Sequence, residues 1–202
     1  ADALYTSAPV GRIEQGAVLV RDGKIAAVGP AADVAAPTNA RRLRAAVVLP
    51  GLIDSHSLVG INGGYNDRAD QDGFESTDAV GAEYRVLDSF NPQEKLLAHA
   101  RSLGVTSVHV TPQPTAPIGG RSAVFKTSGN LADEMLLRSD VAVLFNLGEE
   151  PREAFAEKGP ATRMAVAALI RQELHKARHW AAQDEAKRQP DLGLQALASV
   201  LS

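Results

Sequence analysis

Between residues 50 and 110 the chain spells out one unit: strand, loop, helix, strand. Leu52-Ile53 reads as a short buried strand, followed by the polar residues Asp54, Ser55, His56 and Ser57. Residues 60–73 are rich in Gly, Asn and Asp and read as loop. The spacing predicts a helix over 91–103, with Asn91 as N-cap, Pro92 at the first helical position and Glu94 closing a capping box. Leu96, Ala100 and Leu103 form its expected apolar face, and Gly104 is the stop. Val105–Val110 then supplies a β-rich run ended by Pro112. Two strands joined through a helix pair in parallel, which is the unit of a parallel α/β sheet.

The chain before residue 50 follows a different pattern. Ala17–Val20 and Ile25–Val28 are apolar runs separated by Arg21-Asp22-Gly23-Lys24, and Asp-Gly is a strong signal for a two-residue hairpin turn. Ala45–Leu49 is a third apolar run, closed by Pro50-Gly51. The first fifty residues therefore read as all-β. Further on, 141–146 reads as a strand. Residues 160–189 read as a long helix with apolar residues from Val166 to Ala181 at three- and four-residue steps, broken by Pro190. A last short helix is expected over 192–201.

Composition excludes several functions. There is no cysteine, so disulfides, zinc–thiolate sites, iron–sulfur clusters and thiol nucleophiles are ruled out. The formal net charge of −3 gives no reason to expect nucleic acid as a partner. No apolar run approaches the roughly 20 residues of a membrane span. Residues 51–100 carry nine acids against three bases, and most of the acids fall between Asp67 and Glu83. That stretch has no regular periodicity and reads either as a solvated loop or as a lid or partner-binding loop.

The segments "GAVLVRDGKIAAVG" and "VLPGLIDSHS", then "LDSFNPQEKLLAHARSLGVTSVHVTP", "IGGRSAVFKTSG" and "GPATRMAVAALIRQEL", occur in this order. Together they resemble the amidohydrolase superfamily, in its imidazolonepropionase-like branch. The resemblance implies an α/β fold: N-terminal β-sandwich strands followed by an incomplete (β/α)₈ TIM-type barrel with roughly its first three strands. The corresponding division is residues 1–49 for the sandwich portion and 50–202 for the partial barrel. Family members are usually about twice as long, so the chain is expected to be either an N-terminal half or a shortened descendant.

The family's reaction, metal-dependent hydrolysis of C–N bonds in cyclic amides and related substrates, sets what to look for. Zinc or another divalent metal activates water, and its ligands stand at strand ends. The first strand typically carries His-x-His. Here the matching positions are His56 and Leu58. His56 keeps the first metal ligand, whereas leucine has no lone pair to offer. Asp54 is placed either to orient that imidazole from behind or to accept backbone N–H groups in the turn. Arg121, in Gly119-Gly120-Arg121-Ser122, is a candidate contact for a substrate carboxylate, on a loop otherwise read as a tight turn. With one ligand in place, a chain holding no metal is an equal expectation, and no catalytic residue is assigned.

Other chemistry-bearing residues have plain readings. Lys126 is expected at the surface rather than as a carboxylated metal bridge. His109, on the second strand, is expected to be a hydrogen-bonded structural residue. His99 is expected to be exposed. His175 and His179 share a helix face flanked by Lys176 and Arg178 and read as a solvated cationic stripe. The function implied is that of an amidohydrolase-family polypeptide, catalytically incompetent on these residues. The alternative is a non-catalytic structural or interaction subunit. Either way an open barrel edge needs covering, by the remainder of its own fold or by another protein. A sequence that starts without Met and lacks cysteine fits an exported location.

Overall fold

The computed structural model describes residues 1–65 and 67–201, which form two compact units, Ala1–Gly51 and Leu52–Ser202. The protein is mixed α/β. Its strands form four small sheets, with no closed barrel among the described residues.

In the first unit β1 (Ala3–Tyr5) runs antiparallel to β2 (Arg12–Glu14). A hairpin pairs β3 (Gly16–Arg21) with β4 (Lys24–Pro30), and β5 (Val47–Val48) lies parallel to β1. The hairpin is the one written in the sequence. Arg21 faces Lys24, and both residues between them take positive φ, 51° at Asp22 and 73° at Gly23. That conformation matches the right-handed twist of the two strands. Strands β1 and β2 have no signature in the sequence, being three residues each. They are fixed by burial of Ala3 and Leu4 instead. Gly16 permits that packing, since a Cβ there would stand 2.6 Å from Leu4 Cβ.

The second unit begins with β6 (Leu52–Ser57). Two helices follow, α1 (Val86–Ser89) and α2 (Lys95–Ser102), and then β7 (Val105–Val110), parallel to β6 as the crossover requires. The parallel pairing ends there. After β8 (Ile118–Arg121), strand β9 (Ala123–Lys126) runs antiparallel to β7. A short helix α3 (Ala132–Met135) leads into β10 (Leu136–Arg138), antiparallel to β9, which gives the sheet order β10-β9-β7-β6. Strand β11 (Val143–Phe145) pairs antiparallel with β8 in a separate two-stranded sheet. The strand read over 141–146 thus does not extend the parallel pair. Helices α4 (Glu150–Ala154), α5 (Arg163–Ala181) and α6 (Leu192–Ser199) complete the unit. No helix is long and apolar enough to cross a membrane among the described residues.

Four local expectations are corrected. Leu52 and Ile53 are in a strand but not buried, at 51% and 69% exposure. Helix α2 starts at Lys95, because Asn91 spends its side chain on the N–H of Gln93 and Glu94 caps the helix through the N–H of Leu96. Its buried residue is Leu97. Leu103 is exposed, and Leu96 packs over Gly64 instead. Gly119-Gly120 is strand, not turn. Helix α5 ends at Ala181, since Asp184 caps a separate 3-10 turn over Glu185–Lys187 well before Pro190.

Two apolar clusters hold this unit. Val108 and Val110 of β7, Phe125 of β9 and Leu97 of α2 meet Phe90, whose ring stacks on Phe125 with centroids 3.8 Å apart. Ile118 of β8 packs with Val166, Ile170 and Ala177 of α5 and with Leu197 of α6. Alternation along β7 puts Val108 and Val110 on the core side and turns His109 the other way.

Candidate functional site

The residues singled out in the sequence gather where β6 and β7 end. His56 is the penultimate residue of β6, and its side chain is exposed. Its Nε2 lies 3.2 Å from Oγ1 of Thr111, the buried residue that follows β7. The parallel pairing makes this contact. Thr111 donates its N–H to the Ser57 carbonyl at 3.1 Å, which carries the ladder past the ends of both strands. Asp54 takes the second of its two readings: its Oδ1 accepts the backbone N–H of His56 at 3.2 Å. Leu58 turns inward and packs, partly buried, against the cluster around Phe90. The position that would carry the second imidazole is therefore held by an apolar side chain at the edge of the core.

His109 is fully engaged. Its Nδ1 donates to the Ser55 carbonyl at 3.0 Å, which leaves Nε2 facing Oγ of Ser122 at 2.8 Å. Ser122 is 2% exposed and also accepts the N–H of Ala142 at 3.1 Å. This Ser–His pair ties β7 to β6 and to the β8–β9 junction.

Arg121 makes its contacts away from His56. One terminal nitrogen is paired with Asp140 at 2.9 Å and the other donates to the Glu83 carbonyl at 3.0 Å. Its Nε is buried without a partner. The two ends of the guanidinium fork are thus held by two different partners, which is not the geometry of bidentate carboxylate recognition. Lys126 is exposed and donates to the Glu134 carbonyl at 3.3 Å. His99, His175 and His179 are exposed as well.

These side chains do not fit a catalytic metal. Such a site takes three protein ligands from imidazoles or carboxylates. Here one imidazole stands at the strand end, facing a hydroxyl, with an apolar side chain two residues on. Among the described residues, no three His, Asp or Glu side chains converge to hold an ion. Sequence reasoning did not find Thr111. Its signal is the polar residue directly after the second parallel strand, before Pro112.

Comparison with known proteins agrees with the segment order seen in the sequence. Residues 16–36 match the family model of the bacterial imidazolonepropionase-like composite domain. The structure is similar to the crystal structure of an amidohydrolase from Thermotoga maritima MSB8, with a TM-score of 0.79 and 30% identity over 91% of this chain. The match takes in 50% of that protein, so the present chain spans about half its length. No curated protein matches the sequence. The fold over most of the chain is similar to that of the amidohydrolase superfamily, and residues 16–36 are similar to its imidazolonepropionase-like branch.

Proposed function

We propose that these residues form the sandwich portion (1–49) and the opening strands of a barrel (50–202) in an amidohydrolase-type protein that does not hydrolyse C–N bonds by the usual metal chemistry. One observation carries the reading. The second position of the expected His-x-His is Leu58, and its side chain packs, partly buried, against the apolar cluster around Phe90. Restoring a ligand there means removing a packed residue, so the departure is built into the fold. His56, Asp54 and Thr111 keep the strand-end geometry without the donor set.

On this reading the protein works through its surfaces. Leu52 and Ile53 on β6, and Val20 and Ile25 on the hairpin, are exposed apolar strand residues. They support an assembly in which further strands, from the rest of the fold or from another protein, cover them.

The test is metal content of the full protein purified without chelator. The expected result is far less than one zinc per chain, unchanged by His56→Ala. One zinc per chain that disappears in His56→Ala would overturn the reading. It would return the protein to the metal-dependent hydrolases.

A further inference from the structure

We infer that His175 and His179, on the exposed face of α5, form a two-imidazole site for a divalent transition-metal ion, Cu²⁺ above the others. The two residues are four apart within one α-helix, Arg163–Ala181. Four residues are close to one helical turn, so their Cβ atoms lie about 5–6 Å apart on the same face. The helix is anchored through its other face, where Val166, Ile170 and Ala177 are buried in a cluster with Ile118 and Leu197. It is also closed at both ends. Thr162 accepts the N–H of Ala165, and Ala182 donates its N–H to the Arg178 carbonyl at 3.1 Å. The pair is therefore held at a fixed spacing before any ion arrives, which lowers the ordering cost of binding.

Both rings are free to act as ligands. His175 and His179 are exposed, and neither ring holds a hydrogen bond or an ion pair among the described residues. The other histidines lack this combination. His56 faces Thr111, and His109 is held at both ring nitrogens. His99 is exposed on α2, but no second imidazole stands on that helix. Two neighbouring cations work against an ion. Arg171 and Arg178 are exposed and have no ion-pair partner among the described residues, whereas Lys176 is paired with Glu173 at 2.7 Å. At exposed positions their repulsion is screened by water and salt. It lowers the affinity and leaves the donors in place.

Donor chemistry decides the ion. Imidazole suits Cu²⁺, Ni²⁺ and Zn²⁺, and of these Cu²⁺ binds a given set of nitrogen donors most tightly. Calcium and magnesium take oxygen ligands, so the same donors select against them. A structural zinc centre uses four protein ligands and a catalytic one three. No third His, Asp or Glu joins this pair among the described residues. Water fills the remaining positions, so the ion exchanges readily and is read by titration rather than by the metal a purified sample retains. The pair seen in the sequence as a solvated stripe is thereby a surface chelate. It shares no residue with the strand end at His56 and does not depend on whether that end holds a metal.

The test titrates the full chain with Cu²⁺ in a non-chelating buffer and follows Trp180, the one tryptophan and the sequence neighbour of His179. Bound Cu²⁺ quenches a nearby indole. The fluorescence is expected to fall along a one-site curve that is complete by about 100 μM. Zn²⁺ should bind about tenfold more weakly or worse, and Mg²⁺ should have no effect. His175→Gln and His179→Gln should each weaken Cu²⁺ at least about tenfold, because one imidazole remains. Both positions are exposed, so both variants should melt with the wild type in the absence of metal. Wild-type affinity in either variant, loss of the quench in His56→Ala instead, or no saturation by about 1 mM would overturn the proposal. The wild-type titration decides the last of these even if a variant fails to fold.

Discussion

His109 Nε2 stands 2.8 Å from Oγ of Ser122, while its Nδ1 reaches the Ser55 carbonyl at 3.0 Å. A single ring on β7 thus bridges β6 on one side and the β8–β9 junction on the other. Ser122 extends the tie to the lead of β11 through Ala142. Removing the ring takes one partner from the buried Ser122 hydroxyl, which keeps its contacts to Ala142, and one from the Ser55 carbonyl. His109→Ala is expected to cost about 1–3 kcal/mol, read as a lower urea midpoint at constant slope. Ser122→Ala should cost a similar amount, and the double variant less than the sum by at least about 0.5 kcal/mol. Strict additivity would show that the two residues act independently.

The stack of Phe90 on Phe125 sets the second expectation. Phe90 is buried at 6% exposure, and Gly60 lies directly against its ring. A Cβ on Gly60 would come within 2.4 Å of Phe90 Cε2, at a backbone φ of 95°. Phe90→Ala should cost about 3–5 kcal/mol by opening a cavity. Gly60→Ala should cost about 1–3 kcal/mol by overpacking the same place. Both are measurable by thermal or urea unfolding. A silent Gly60→Ala would mean that the loop and the ring do not meet.

How much of this was legible in the sequence depends on how locally each feature is determined. Asp22-Gly23 wrote its own turn, because two adjacent left-handed residues need no tertiary support. Strand β7 was legible to the residue, bounded by Gly104 and Pro112. Helix α2 was not, because Asn91 and Glu94 are both good caps and only the side-chain partners decide which one starts the helix. The glycines at 119 and 120 suggested a turn, yet both are in β8, and Gly120 lets the strand pass close to the Tyr84 backbone. The same division holds at the site. His56 and Asp54 could be placed on a strand end from their spacing. Their partners, Thr111 and a backbone N–H, are set by the β6–β7 pairing and could not be read along the chain. The role of Arg121 failed for a similar reason. Asp140, with its positive φ, lies nineteen residues away in sequence, and the Glu83 carbonyl comes from another loop.

The Arg85–Asp88 pair predicts a pH effect of definite sign. Hydrogen bonding to Arg85 holds the Asp88 carboxyl below its usual range, and Asp88 holds the guanidinium above its own. A carboxyl with a lowered folded pKa stabilises the fold fully above its unfolded pKa. That contribution is lost as pH falls through the lower, folded value. Asp88→Asn should therefore flatten part of the acid limb of stability against pH. At neutral pH it should cost about 0.2–1 kcal/mol, since both groups are exposed and screened by salt. An unchanged acid limb would show that the pair contributes nothing.

Leu58→His tests the central departure from the family pattern. The leucine packs partly buried against the Phe90 cluster, so an imidazole in its place puts polar atoms into an apolar contact. Without metal the variant should lose about 1–3 kcal/mol. Its new nitrogen then stands two residues from His56, and zinc that binds only the folded form should return part of that loss. The wild-type protein, with the single imidazole of His56 facing Thr111, should gain little from the same zinc. The comparison is a pair of melting curves with and without zinc, repeated in the His56→Ala background, where the variant's gain should vanish. Equal zinc stabilisation of wild type and variant, both lost in His56→Ala, would mean that the strand end already holds a working site. Leu58 would then be a tolerated substitution rather than the residue that ended the chemistry.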